Sequence, residues 1–498
     1  MTMNRSRRFF LGGIGALLAA GPVGAAAPQT SLRPQMRFAA LQAEITGGPE
    51  GLVDRAKLSG KVACSVADTK TGLVLETLHG DLALPPASVA KALTALYALE
   101  TLGAGYRFKT RLLTNGVIHN GVLSGDLILA GGGDPSLDTD DLAAMAAQLK
   151  LAGVRQVTGG FVVQDGALPF TSSIDATQAD YSGYSPAVSG IALNFNRVHF
   201  EWKRAGQDYT ISMEARARKF RPAVAVSRMQ VVDRSTPVYT YASDKGGDQW
   251  TVARRALGKE GARWLPVRRP GDYVGDVFRT LAAAQDIKLK VPKVVTALPA
   301  GARVLVEHQS GELSGILRDM LNWSNNLIAE MIGMTATAAR VGRPDSIRAS
   351  ARQMNAWAAE RYGMVQTNLV DHSGLGDESR MTAADLVTAL VQVRRQGHLR
   401  PMLKEFTLRD AQGRPNKGHP IKVYAKTGTL NFVSGLGGFM TGPDGTELAF
   451  AIFSADADTR EKFKATEHEI PPGARNWNRR AKNLQQKLIE RWGVLYCT

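Results

Sequence analysis

Hydrophobic and polar positions divide the chain into three stretches of different rhythm. From Lys61, KVACSVADTKTGLVLETL reads as a strand, a Lys70-Thr71-Gly72 turn and a second strand. Pro85 and Pro86 then mark a helix entry. Val89, Leu93, Leu96 and Leu99 or Leu102 recur at roughly 3.6 residues, which predicts a helix from near Ser88 to about Leu102. Between about 106 and 304 the rhythm shortens. RFKTRLLTNGVIHNG, GDLILAG and GGFVVQDG predict short strands between Gly- and Asn-rich turns, interrupted by one helix from Asp140 to Leu151. From about 305 longer elements return: a strand RVLVEH, a helix from near Glu312, another from about Asn325 into TATAAR, and strands at KVYAKTG, SGLGGFMTG and LAFAIFSA. The final helix carries Trp477, Ala481, Leu484, Leu488 and Trp492 on one face, with Arg479, Arg480, Lys482 and Lys487 off it. It reads as packed on a sheet, with a membrane-surface helix as the alternative.

The N-terminus bears on compartment. Arg5, Arg7 and Arg8 precede an apolar run from Phe9 to Ala20, and Ala25-Ala26-Ala27 offers small residues for cleavage. Residues 1–27 are predicted to be a signal peptide, since the run is shorter than the roughly 20 residues a membrane span needs. Ser6-Arg7-Arg8-Phe9-Phe10-Leu11 resembles a twin-arginine export signal. With no other apolar run of that length, the mature chain is expected to be soluble in a periplasmic or extracytoplasmic space. Export would permit a disulfide between Cys64 and Cys497; the alternative is a buried thiol and a free terminal one.

At 498 residues the chain has room for about two to four domains, and 44% hydrophobic with 21% charged residues excludes a disordered chain, a collagen or a coiled coil. Net charge is +16, and residues 197–270 hold sixteen basic against seven acidic positions. That stretch is either a footprint for a polyanion or the solvated surface of a basic protein. No nucleic-acid reading motif accompanies it.

Three short strings carry candidate chemistry: Ser88-Val89-Ala90-Lys91, Ser324-Asn325-Asn326 and Lys426-Thr427-Gly428. Positions i and i+3 share a helix face, so the Lys91 amine can reach the Ser88 hydroxyl. A helix N-terminus at Ser88 would turn backbone N–H groups toward a developing oxyanion. A serine hydroxyl needs a base to become a nucleophile, and lysine serves only when burial or a nearby cation lowers its pKa. Lys426 is the candidate cation. Gly428 lets a substrate backbone approach, and the Thr429 amide can complete an oxyanion hole. Ser324 can relay a proton to a leaving amine, and Asn326 can hold Lys91 and a substrate amide.

In this order the strings resemble the SxxK, SxN and KTG motifs of penicillin-binding proteins and serine β-lactamases. Leu84-Pro85-Pro86-Ala87-Ser88 is similar to that superfamily's approach to its nucleophile. GDLILAGGGDPSL (Gly125 to Leu137), Leu193-Asn194-Phe195-Asn196, SNNLIAE (Ser324 to Glu330) and DHSGLGDESRMTAADL (Asp371 to Leu386) resemble one branch. That branch is the D-alanyl-D-alanine carboxypeptidase/endopeptidases of the penicillin-binding protein 4 type, serine peptidase family S13.

The resemblance implies a multidomain α/β (α+β) fold. A transpeptidase-like domain, an antiparallel sheet flanked by helices, would comprise residues 28–105 and 305–498. A mostly-β insertion would occupy 106–304, with a basic subdomain near 185–270. It further implies catalytic roles for Ser88, Lys91, Ser324 and Asn326, substrate binding by Lys426, Thr427, Gly428 and Thr429, and no metal or cofactor. Peptidoglycan stem peptides would be the substrate and β-lactams covalent inhibitors. Hydrolysis would fall on D-Ala-D-Ala termini and on D-Ala–diaminopimelate crosslinks.

Two positions depart from the pattern. Asn325 stands where Asp is common, with little effect expected. His372 replaces a small residue before Ser373-Gly374-Leu375 and reads as a polar loop residue. No G-x-S-x-G elbow or H-E-x-x-H pair is present. Asp134, Asp138, Asp140 and Asp141 do not fit a calcium loop; Asp140 and Asp141 read as favouring a helix start.

Overall fold

The run KVACSVAD forms the strand Lys61–Asp68, with six of its eight residues buried. So continuous a run is characteristic of a strand covered on both faces. The structure is a computed structural model that describes residues 47–244, 246–464 and 470–497; the expected signal peptide lies outside them. Lys61–Asp68 belongs to a six-stranded sheet ordered Lys404–Glu405, Lys422–Leu430, Val433–Thr441, Glu447–Ala455, Lys61–Asp68, Val74–Leu78. Every neighbouring pair is antiparallel.

Strand alternation sends Ala63, Ala67, Phe439, Ala449 and Phe453 to one face. There they pack with the helices Ala90–Leu102, Leu313–Trp323 and Ala383–Arg394. Val62, Cys64, Val66, Leu436, Phe450 and Ile452 take the opposite face, against Leu52 of Pro49–Ala56 and Leu484, Leu488 and Trp492 of Ala474–Tyr496. Each large apolar side chain so buried contributes about 1.5–3 kcal/mol. The last helix therefore turns its apolar face to the sheet rather than to a membrane surface. Cys64 and Cys497 both lie in this second layer as buried free thiols, so the disulfide alternative is not the one the structure holds. No helix among the described residues is long and apolar enough to cross a membrane.

A second, five-stranded sheet runs Pro292–Val295, Phe161–Gln164, Leu127–Ala130, Lys109–Thr114, Arg303–Gln309. Its strands Lys109–Thr114 and Arg303–Gln309 pair antiparallel, so the chain leaves and returns side by side. Two three-stranded sheets follow in the basic stretch, one around Arg197–Ala205 and one around Gly247–Ala253.

Beyond the expected helix, Thr139–Leu151, this region contains Pro270–Ala283. Its Gly271 and Gly275 sit against Val294 and Pro292, where a Cβ would come within 2.7 and 2.8 Å. Asp138 and Asp141 form a reciprocal capping box on Thr139–Leu151. Asp140 instead turns away from the cap, and its carboxylate accepts the backbone N–H groups of Lys219 and Phe220.

Candidate active site

Ser88 lies in a single 3-10 turn, Ala87–Val89, that leads into the α-helix Ala90–Leu102. Ala87 has φ 46°, a left-handed conformation that costs energy for a residue with a Cβ and that clusters at functional sites. Two glycines let the rest of the site close on this turn. A Cβ on Gly428 would stand 2.5 Å from the Pro86 carbonyl oxygen and 3.0 Å from the Ser88 nitrogen. The space freed by Gly428 is thus filled by the chain's own turn. Gly374, at φ 73°, would place a Cβ 1.9 Å from the Ala87 carbonyl oxygen.

The first helical turn carries Lys91 inward, where it is wholly buried. Its Nζ lies 2.9 Å from Ser88 Oγ, 2.7 Å from Asn326 Oδ1 and 2.8 Å from the Ser373 carbonyl oxygen. Burial is the dominant effect on the amine and brings its pKa down to about 7, against the opposing pull of Asp371 and Glu330.

Ser324 ends Leu313–Trp323 in a left-handed conformation, φ 58° and ψ 34°. Asn325 caps the next helix, Asn326–Val341, by accepting the Ile328 N–H at 3.1 Å. Asp caps a helix equally well, which accounts for the exchange at this position. Asn326 then points Oδ1 at Lys91, while its Nδ2 donates to the Tyr184 carbonyl at 2.8 Å.

Lys426 is buried on the strand Lys422–Leu430, and its Nζ donates to Ser324 Oγ at 3.0 Å and to the Thr427 carbonyl at 2.8 Å. Burial first, then the charges of Lys91 and Lys404, hold its pKa well below the usual lysine value. Thr427 and Thr429 alternate with Lys426 and Gly428 and are exposed. On the outer side, the two-residue strand Lys404–Glu405 pairs only as far as Ala425, so that ladder ends one residue before Lys426. The structure thus links Ser88, Lys91 and Asn326 directly, and Lys426 with Ser324, with Asn326 two residues from Ser324.

Two acids to which the sequence assigned no role complete the floor. The buried Glu330 carboxylate accepts the backbone N–H groups of His372 (3.0 Å) and Ser373 (2.9 Å). Asp371, also buried, accepts those of Gly374 (2.7 Å) and Gly376 (2.6 Å). Together they fix the loop whose Ser373 carbonyl meets Lys91. Burial raises both carboxyl pKa values; for Glu330 the charge of Asp371 adds to it. One signal was available: Glu330 stands four residues after Asn326 on one helix, and so on the same face.

His372 is not a polar loop side chain. It is wholly buried, with Nε2 2.7 Å from Ser350 Oγ, and burial lowers its pKa to about 3. Gly333 makes the space, since a Cβ there would strike the ring at 2.2 Å.

The chain matches the D-Ala-D-Ala carboxypeptidase 3 (S13) family over residues 50–470. It is 27% identical over 474 residues to a D-alanyl-D-alanine carboxypeptidase of Actinomadura sp. (strain R39), a match covering 86% of each protein. In fold it is similar to the crystal structure of penicillin binding protein 4 (dacB) from Haemophilus influenzae. That likeness has TM-score 0.73 at 21% identity and covers 89% of this chain and 99% of the other. A second structure of the H. influenzae protein, complexed with a novel β-lactam, matches with TM-score 0.68 at 21% identity over the same shares of the two chains. The chain belongs to the D-Ala-D-Ala carboxypeptidase 3 (S13) family and is a serine-type D-Ala-D-Ala carboxypeptidase.

Proposed function

We propose that this carboxypeptidase works through an acyl-enzyme on Ser88, with Lys91 as its base, and acts on peptidoglycan stem peptides. The observation that carries the reading is the set of three contacts around Lys91. Asn326 Nδ2 is committed to the Tyr184 carbonyl, so Asn326 Oδ1 faces the amine. Asn326 Oδ1 and the Ser373 carbonyl can only accept. A neutral Lys91 must therefore spend both N–H groups on them and turn its lone pair to the third neighbour, the Ser88 hydroxyl. A pKa of about 7 leaves a useful neutral fraction at neutral pH.

In the proposed reaction Ser88 Oγ attacks the carbonyl carbon of the penultimate D-Ala while its proton passes to Lys91. The backbone N–H groups of Ser88 and Thr429 receive the oxyanion. Lys426 and Thr429 hold the terminal carboxylate. The C–N bond breaks as the leaving amine takes, through Ser324, the proton that Lys91 received, with Lys426 held against Ser324. Water then attacks the ester and gives its proton to the again neutral Lys91, which passes it to Ser88 Oγ as the ester bond breaks, freeing the shortened peptide and Ser88. The ladder that stops before Lys426 leaves an edge on which an extended peptide can add as a strand.

The same chemistry on a D-Ala–diaminopimelate bond would make the chain an endopeptidase as well, and β-lactams would acylate Ser88. Residues 28–105 and 305–498 would form the catalytic domain, supported by a six-stranded sheet drawn only from 61–78 and 404–455. Residues 106–304 would be the insertion, and the Arg7-Arg8 segment would direct export. Fluorescent penicillin tests the assignment: the parent should be labelled and Ser88→Ala should not, and equal labelling would refute the nucleophile.

A further inference from the structure

A cleft of about 540 Å³ opens along Ser324, Asn325 and Asn326, with Tyr184, Phe195, Arg197 and Trp323 among its walls. Trp323 is 77% exposed and Tyr184 44%, so the rim offers two aromatic faces. Arg197 stands out. Its guanidinium lies 5.4 Å from the Phe195 ring centroid and 5.5 Å from that of Trp264. Among the described residues its Nε is buried without a hydrogen-bond partner, and burial lowers its pKa with no acidic neighbour to offset it. Asp319 faces the same cleft, but it is exposed and makes no ion pair with Arg197.

The backbone beneath is held in a costly shape. Asn194, Phe195 and Asn196 have φ of 50°, 59° and 49°, three consecutive left-handed residues with side chains. Buried amides keep it: Asn194 Nδ2 donates to Thr139 Oγ1 (2.8 Å), and Asn196 Nδ2 to the Ala187 carbonyl (2.8 Å). Asn196 Oδ1 accepts the Leu193 N–H at 3.1 Å. This strained turn carries Phe195 and Arg197 to the cleft. The facing segment is tied to the reacting groups through the Tyr184 carbonyl, which accepts from Asn326.

Arg197 is half-buried, and a cation drawn even partly out of water ordinarily has an anion beside it. Two rings attract a guanidinium through their faces but do not accept its in-plane N–H bonds as a carboxylate does. We propose that Arg197 receives a substrate carboxylate on the leaving side of the scissile bond, so that the cleft holds the released strand of a crosslinked peptide. This rests on the reading above, because the proton relay assigned to Ser324 places the leaving amine beside the cleft. A crosslinked leaving strand carries carboxylates beyond the one next to the scissile bond, and released D-Ala does not.

The test compares two crosslinked muropeptide dimers. One is native; in the other, every acceptor-strand carboxylate except that beside the scissile bond is amidated. The parent should cleave the native dimer with kcat/KM about tenfold or more above the amidated one. Arg197→Gln should bring that ratio near unity, with Arg197→Lys between them. Because the ratio is taken within one protein, partial loss of folded protein cancels. Equal parent rates on the two dimers, or an unchanged ratio in Arg197→Gln, would overturn the subsite. Penicillin labelling of the same preparations reads the underlying assignment separately. A labelled parent without the carboxylate preference loses only the Arg197 subsite, whereas a parent labelled no better than Ser88→Ala loses the Ser88 reading itself.

Discussion

Lys91 is wholly buried and Arg197 half-buried, one bonded to Asn326 and the other on the cleft that Asn326 borders. Their surroundings differ. Lys91 has three hydrogen-bonding neighbours, and two buried acids behind them hold the loop that supplies one of the three. Arg197 has two rings and a buried Nε without a partner. A fully bonded charge holds reacting atoms in place, whereas an unbonded one beside open space is prepared for something that arrives. In the proposed reaction the first serves chemistry common to every turnover, and the second would serve selection among substrates.

The contrast is most exposed to attack at Lys91. Lys91→Met should slow penicillin acylation of Ser88 by about 10²–10⁴-fold, the usual range for a lost general base, measured by stopped-flow or gel labelling. In the parent, acylation should rise with pH through about 7 as the amine deprotonates.

Glu330 comes next. Glu330→Ala strands two buried backbone N–H groups and should cost about 2–4 kcal/mol in urea unfolding.

His372 probes the same floor through stability. Its folded pKa of about 3 lies below the ordinary 6.5, so between those values the unfolded chain binds the extra proton. Stability from this group is intact above about pH 6.5 and falls by about 1.4 kcal/mol per pH unit on acidification toward 3. His372→Gln should flatten that slope in acid unfolding curves.

The smallest effect is expected at the cleft. Arg197→Met should leave unfolding free energy within about 1 kcal/mol of the parent, because relief of a half-buried charge offsets two ring contacts. A loss comparable to that of Glu330→Ala would erase the distinction between the two regions.

The meeting of Ser88, Lys91, Asn326, Ser324 and Lys426 was legible in the sequence because each sits in a short string whose spacing already states its geometry, as Ser88 and Lys91 do at i and i+3. The faces of the six-stranded sheet were legible for the same reason, since alternation is local. Glu330 and Asp371 were not, although both fall within strings that drew attention. Their work appears only when the loop from Asp371 to Gly376 meets the helix Asn326–Val341, a contact no local period encodes. Arg197 was one of sixteen basic positions in its stretch, and nothing nearby marks it as the one on Phe195 and Trp264. The helix Ile347–Tyr362 gives little sequence signal, being rich in alanine, whose small side chain makes a weak hydrophobic stripe. His372 misled because a polar residue in a Ser-Gly turn suggests solvent, while the hole that receives it is made by Gly333 on another element.

The strand Lys61–Asp68 takes its neighbour from Glu447–Ala455, near the other end of the chain. During synthesis the early strand must wait, unmated along one edge, until the chain has been made and released as far as Ala455. Pairing across so long a loop is slow to nucleate, and an open edge in the interval invites wrong partners. Residues 109–309 supply a complete sheet of their own much earlier. Translation order therefore sets assembly order, and a truncation that removes the last strands should leave the Ser88 turn without its scaffold while the middle of the molecule still folds.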